Sequence, residues 1–233
     1  MERILSTESR QRLQARAPLP VDAHKTIAVK RDVHEFVIAA PAADFARAFR
    51  AVVTSPTSTF GLIRVKRPSE RMGEDFHVGE RFQGCFSLEL AATGALEERL
   101  PIAARWLSAL LALAPARRLT GWLEDALLSN YAEVRAIVTD PAPGQPYRLE
   151  YAYLEGTPIA GTSTFTIEAD GPGQCRVRQI FEYQEVGGVA LASFQRFGLK
   201  FHDQVVQMEM EQAAAELGVR VLSSTIPRAY GAL

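Results

Sequence analysis

The sequence predicts an α+β domain in which a curved antiparallel sheet closes around one long C-terminal helix. Three observations carry that expectation. Between Tyr147 and Glu185, in YRLEYAYLEG, GTSTFTIEAD and CRVRQIFEYQE, apolar and polar residues alternate with period two, and turn formers such as GPGQ punctuate them; this is the pattern of antiparallel strands. From about Val189 to Leu217 the period lengthens: Leu191, Phe194, Phe197, Phe201, Val205, Met208 and Gln212 fall three or four residues apart, one face of a helix of roughly seven turns. A chain of 233 residues with 47% hydrophobic content also suffices to bury a substantial core as a single domain.

Composition removes several function classes. The net charge of −1 and pI of about 6.5 give no global field toward nucleic acid or anionic membrane, so no nucleic-acid partner is expected. Cys85 and Cys175 lie far apart without metal-ligand spacing, which reads as two reduced, partly buried thiols rather than a zinc site or a disulfide framework. No metal and no nucleotide cofactor is expected. The opening MERILSTESRQRLQARAP is charged throughout and unlike a secretory leader, and no charge-free run reaches transmembrane length, so a cytoplasmic location without stable membrane insertion is expected.

Residues 1–24 read as an N-terminal arm. Ser6 or Thr7 can cap a short helix through Ala17, which Pro18 and Pro20 end, and a frayed, solvated terminus is the expectation. The main domain spans 25–218. Lys25 to Ala39 alternates as a strand; Pro41 then opens a helix that turns Phe45, Phe49 and Val52 or Val53 inward. Phe60 to Lys66 and FHVGERFQGCFSLEL read as further strands, with Gly79 and Gly84 at bend positions. An insertion at about 95–130 reads as two helices, Leu96 to Leu113 and Ala116 to Ser129, broken at Pro115 and carrying both tryptophans, Trp106 and Trp122. Tyr131 to Thr139 returns to a strand. The tail, 219–233, reads as a short extended piece followed by disorder.

Three phrases in this order carry a resemblance. HEFVIAAPAADFARAF has a first strand ending in Ala-Pro and opening a helix, VGERF starts a middle strand, and PYRLEYAYLEG with GTSTFTIEADGPGQCRVRQIFEY forms a closing meander. Over most of Val33 to Leu217 the chain resembles the SRPBCC superfamily, the helix-grip fold of START lipid-binding domains, birch-pollen-allergen-like proteins and polyketide cyclases. The resemblance implies a sheet gripping the C-terminal helix around a hydrophobic cavity. It does not imply a reaction, because members bind lipids or hormones, cyclise polyketides or regulate. The inserted helices depart from the plain fold, which has a tight strand connection there.

Alternation places Leu149, Tyr151, Tyr153 and Glu155 on one face of their strand, Ser163, Phe165 and Ile167 on one face of the next, and Val177, Gln179, Phe181 and Tyr183 on one face of the third. Tyrosines, a glutamine and a carboxylate among apolar groups suit a small-molecule pocket. Tyr151, Tyr153 and Tyr183 are candidates to donate hydrogen bonds to a carbonyl or enolate, and Glu155 or His34 to move a proton. The bland alternative makes the tyrosines core residues with wet tips and Glu155 a turn residue before Gly156. Phe165, Gln179, Phe181, Phe194, Phe201, His202 and Trp106 complete the expected ligand-binding set. Asp203 is expected to face water, and Glu209, Glu211 and Glu216 to form a solvated helix face.

Two functions from different classes follow. One is a polyketide cyclase-like enzyme, a lyase or isomerase type, acting on a hydrophobic, oxygenated molecule. The other is a non-catalytic carrier of a lipid or apolar metabolite. In either, Arg105, Arg117 and Arg118 beside Trp106 and Trp122 suit a lid, a homodimer contact or a membrane-docking face.

Overall fold

The computed structural model describes residues 7–22, 28–58, 63–68, 74–86, 129–157, 159–186 and 199–226. The inserted helices expected at 95–130, Trp106, Trp122 and Phe194 lie outside the described residues, apart from Ser129 and Asn130, which open a strand.

Among the described residues nine strands form one antiparallel sheet: β1 (Lys30–Ile38), β2 (Thr57–Ser58), β3 (Ile63–Lys66), β4 (Arg81–Phe86), β5 (Ser129–Val138), β6 (Tyr147–Tyr153), β7 (Ile159–Ala169), β8 (Cys175–Glu185) and β9 (Val221–Ser224). They lie in the order β2-β3-β4-β5-β6-β7-β8-β1-β9, so the N-terminal strand closes against the end of the meander. The three helices among the described residues are α1 (Thr7–Ala15), α2 (Ala42–Thr54) and α3 (Leu199–Glu216). The architecture is the helix-grip fold.

The meander forms as its alternation dictates. Along β8 every second residue, Cys175, Val177, Gln179, Phe181 and Tyr183, is buried, while Arg176 and Arg178 are exposed. Along β7, Ser163, Phe165 and Ile167 point inward and Thr162, Thr164 and Thr166 outward. A register shift in β5 between Val134 and Ala136 adds a residue opposite β6, the kind of bulge that bends a strand and deepens curvature.

α2 starts at Pro41, whose missing N–H costs nothing at a helix start, and buries Phe45, Ala46, Phe49 and Val52. It packs on α3 under the concave face. The main core joins these residues to Phe36, Ile38, Leu149, Phe165, Val177, Val206, Met210, Ala213 and Ala214. The buried face of α3 therefore runs through Val206, Met210 and Ala213, with Met208 also buried, whereas Val205 and Gln212 are only half-buried. This is a rotation of the stripe read from the sequence: Val205 and Gln212 sit at its border.

At the termini one expectation is corrected and one is met. The arm is not frayed: Leu13 packs on Leu154, Leu19 N–H donates to Tyr153 O, and the Arg16 guanidinium lies 3.6 Å over the Tyr131 ring. The short extended piece expected in the tail is β9, which pairs with β1, and Ser224 Oγ donates to Gln207 Oε1 on α3 at 2.7 Å; residues 227–233 lie outside the described residues.

Candidate functional site

The inner face of the sheet divides into two ends. One end is filled by α2 and the C-terminal half of α3. At the other a separate aromatic cluster of Tyr153, Phe181, Tyr183, Ile159 and Tyr151 meets the N-terminal half of α3. Strand register builds this second end. Tyr151 pairs with Ser163, Ser163 with Phe181 and Phe181 with Asp32, and in the adjacent row Phe165 pairs with Gln179 and Gln179 with His34. Four strands thereby deliver their polar residues to neighbouring places on one face.

The polar groups connect. The Tyr151 and Tyr153 rings meet with centroids 5.9 Å apart, Tyr151 pairs with Ser163 across β6 and β7, and each of these groups acts on the proton affinity of its neighbour. Gln179, fully buried, donates from Nε2 to Ser163 Oγ at 2.9 Å and lies 3.2 Å from His202 Nε2. Asp203 Oδ1 then stands 3.7 Å from His202 Nδ1 and 3.2 Å from His34 Nε2. A chain of polar side chains from Tyr153 to His34 therefore crosses β6, β7, β8, α3 and β1. Rings flank it: Tyr151 meets Tyr153 edge-on at 86°, and the Phe181 ring stacks on Tyr183 with centroids 4.6 Å apart.

Burial tunes these groups. It pushes the Tyr151 and Tyr153 hydroxyls up and Tyr183 to about 12, so all three are hydrogen-bond donors, not phenolates, near neutral pH. Burial lowers the proton affinity of His202, against the opposing pull of Asp203. For Asp203 burial acts upward, but the imidazoles of His202 and His34 outweigh it and hold the carboxyl down at about 2. Glu209 is half-buried on α3, and enough protein surrounds its carboxyl that desolvation pushes it up to about 8. Its charge is felt at both Tyr151 and Tyr153.

The structure thus brings Tyr151, Tyr153, Gln179, Phe181, Tyr183, His34 and His202 together at one end of the inner face. Phe165 belongs instead to the packed core, its ring 5.0 Å from Phe49. Glu155 is not brought in. It is exposed in the turn after β6, where its backbone N–H donates to Ala17 O at 2.9 Å and its carboxylate accepts from Ala17 N–H at 3.3 Å. The strand ends at Tyr153, so alternation no longer governs the residue two further on, and the bland alternative for Glu155 is the one found. Phe194 and Trp106 lie outside the described residues, and so does the side chain of Phe201.

Two residues of the site were assigned to water from sequence. Asp203 faces His34 and His202, and the charge of Glu209 acts on the tyrosines. The missed signal was helical spacing from His202: Val206, Glu209 and Ala213 follow it at four, seven and eleven residues, so the face holding His202 also holds Glu209.

The fold and this inward polar chain define a helix-grip domain with an aromatic, hydrogen-bonding interior. No protein-family model matches the chain, and no curated protein matches it in sequence. Among solved structures it is similar to the Zhui aromatase/cyclase from Streptomyces sp. R1128, with 11% identity over 82% of this chain and 94% of that one and a TM-score of 0.49. It is likewise similar to truncated norcoclaurine synthase from Thalictrum flavum, with 10% identity over 84% and 98% of the two chains and a TM-score of 0.48. A third is Ara h 8.0201, with 8% identity over 82% and 98% and a TM-score of 0.42. At such distances these likenesses concern chain course and not chemistry. Among the described residues no helix is long and apolar enough to cross a membrane.

Proposed function

We propose that the protein is an acid–base catalyst acting on a hydrophobic, oxygenated small molecule, in a cyclisation, dehydration or isomerisation of the polyketide-cyclase kind. The observation that carries the proposal is Glu209, a carboxyl that burial raises to about 8 and whose charge acts on Tyr151 and Tyr153, two rings that meet edge-on 5.9 Å apart. A carboxyl with such a proton affinity exists in both forms near neutral pH, so it can accept a proton from carbon and return one to oxygen. The tyrosine hydroxyls remain protonated donors, the requirement for stabilising an enolate oxygen as charge develops on it. The aromatic rings around them keep the surroundings apolar, which strengthens such hydrogen bonds. Glu209 takes the proton-transferring role expected of Glu155, which stands outside.

The test is proton exchange at carbon. With α-tetralone in deuterated buffer, the protein is expected to accelerate deuterium incorporation next to the carbonyl, with a rate that rises with pH and levels above about 8 as Glu209 loses its proton. Glu209→Gln abolishes the acceleration, Tyr153→Phe reduces it about ten-fold or more, and Glu155→Gln leaves it unchanged. If Glu209→Gln retains the wild-type rate and pH profile, the assignment is wrong.

A further inference from the structure

The His34–His202–Asp203 end of the polar chain has a property that acid–base chemistry at Glu209 does not use. His34 Nε2 and His202 Nδ1 both approach one oxygen, Asp203 Oδ1, at 3.2 and 3.7 Å, and the three atoms all lie within 4.8 Å of one another. Neither nitrogen completes a hydrogen bond, although both are buried and His34 as a whole is only 9% exposed. The two ring nitrogens converge on a carboxylate oxygen without being aligned for hydrogen bonding and are unsatisfied as they stand. A cation between them and the carboxylate satisfies both nitrogens.

We propose that His34, His202 and Asp203 bind a divalent first-row transition ion, with zinc the best match. Three arguments support this class. Imidazole and carboxylate are the borderline ligands zinc takes, and three protein ligands leave a fourth position for water or substrate. With bonds of about 2.0–2.2 Å in tetrahedral geometry, neighbouring ligand atoms stand about 3.3 Å apart, close to the separations found here. The surroundings also suit the ion: Asp32 adds a second negative charge near His202.

Gln179 acts as the positioning residue. It meets His202 on Nε2, the nitrogen opposite the one facing Asp203. Turning its amide over places Oε1 on His202 Nε2–H, which fixes the tautomer whose Nδ1 lone pair is free for a metal. Gln179 Oε1, a buried acceptor without a donor, then accepts from His202 Nε2–H and from Ser163 Oγ–H, and the amide N–H groups take the place it leaves.

The site is independent of the Glu209 reading, and its test does not involve turnover. The full chain, without a polyhistidine tag and freed of metal by chelator and dialysis, is titrated with Zn²⁺ near neutral pH by calorimetry. One equivalent is expected to bind at micromolar Kd or tighter, with a rise in unfolding temperature. Co²⁺ in place of Zn²⁺ is expected to give the strong visible absorption of a four-coordinate site. In the wild-type protein the ring signals of His34 and His202, and not those of His24 and His77, shift on Co²⁺ addition. His34→Gln and Asp203→Asn each weaken binding about 100-fold or more, and Gln179→Leu about ten-fold. Absence of binding overturns the proposal, and so does binding that perturbs His24 or His77 instead, which would place the ion elsewhere. The histidine signals decide the matter even if a variant fails to fold.

Discussion

The imidazole of His202 lies flat on the ring of Phe181, with centroids 4.2 Å apart and planes 18° apart. Gln179 meets the same imidazole at its edge, so the ring is fixed on a face and at a nitrogen together. Position 202 is on α3 and position 181 on β8, and the pair is one of the places where sheet and helix clasp. Phe181→Leu keeps most of the apolar volume and loses the stack. It is expected to cost about 0.5–1.5 kcal/mol beyond its change in buried area. Urea unfolding measures this, and a Phe181→Leu chain as stable as wild type would mean that the stack contributes nothing.

Glu209 makes stability depend on pH in a defined direction. Its folded-state affinity for a proton, near 8, exceeds the ordinary carboxyl value of 4.5, so the folded chain binds more protons between those limits. Stability from this group is therefore complete below about 4.5, declines as pH rises and is lost above about 8. Glu209→Gln removes that dependence. The stability difference between variant and wild type should grow in the variant's favour from pH 5 to pH 8, and a constant difference would contradict the burial assigned to the carboxyl.

Arg67 is 1% exposed and grips Glu80 with two bonds, Nε to Oε1 at 2.6 Å and Nη2 to Oε2 at 3.0 Å. It also caps the Glu74 and Asp75 carbonyls and lies 4.6 Å over Phe76, which packs on Phe82 and thence on Tyr151. Arg67→Met strands a buried carboxylate and is expected to cost about 3–5 kcal/mol. Adding Glu80→Leu should recover part of the loss, since desolvating neither charge is cheaper than desolvating one. A double variant less stable than Arg67→Met would show that the charges contribute more than their burial costs.

Gly161 holds φ at 130° where its backbone passes Glu182, and a Cβ there would stand 2.0 Å from Glu182 O. Its N–H also donates to Leu19 O and so anchors the N-terminal arm. Gly161→Ala combines backbone strain of about 1–3 kcal/mol with a clash against main chain. The expected result is a loss of at least that size, with faster amide exchange at Leu19 and Glu155. Unchanged exchange would separate the arm from this contact.

The meander was legible because each of its strands has one wet and one dry face, and alternation is a direct consequence. Arg176 and Arg178 against Val177 and Gln179 leave no other register. α2 was legible for a similar reason: Pro41 sets its start, and Phe45 and Phe49 share a face. The long helix was legible as a helix but not in its phase. Its inward face mixes Val206, Met208 and Met210 with small and polar residues, Ala213, Ala214, His202 and Glu209, which carry little hydrophobic signal, while Val205 at the border carries more than they do. Glu155 failed for the opposite reason, since a period valid within β6 was extended past its end.

The sequence by itself determined the types of the main described elements, the sheet's inward residues on β6, β7 and β8 and the order that resembles the helix-grip fold, because these follow from local periodicity. The tertiary structure alone decided which distant groups meet. His34 and Asp203 are separated by most of the chain, and what joins them is the pairing of β1 with β8 together with the rotation of α3 against both. The electrostatics depend on the same meeting: Glu209 is raised by the protein packed around it, and Asp203 is lowered by two imidazoles from different elements. Desolvation and ion pairing act through space over a few ångströms, and sequence separation gives no measure of that distance.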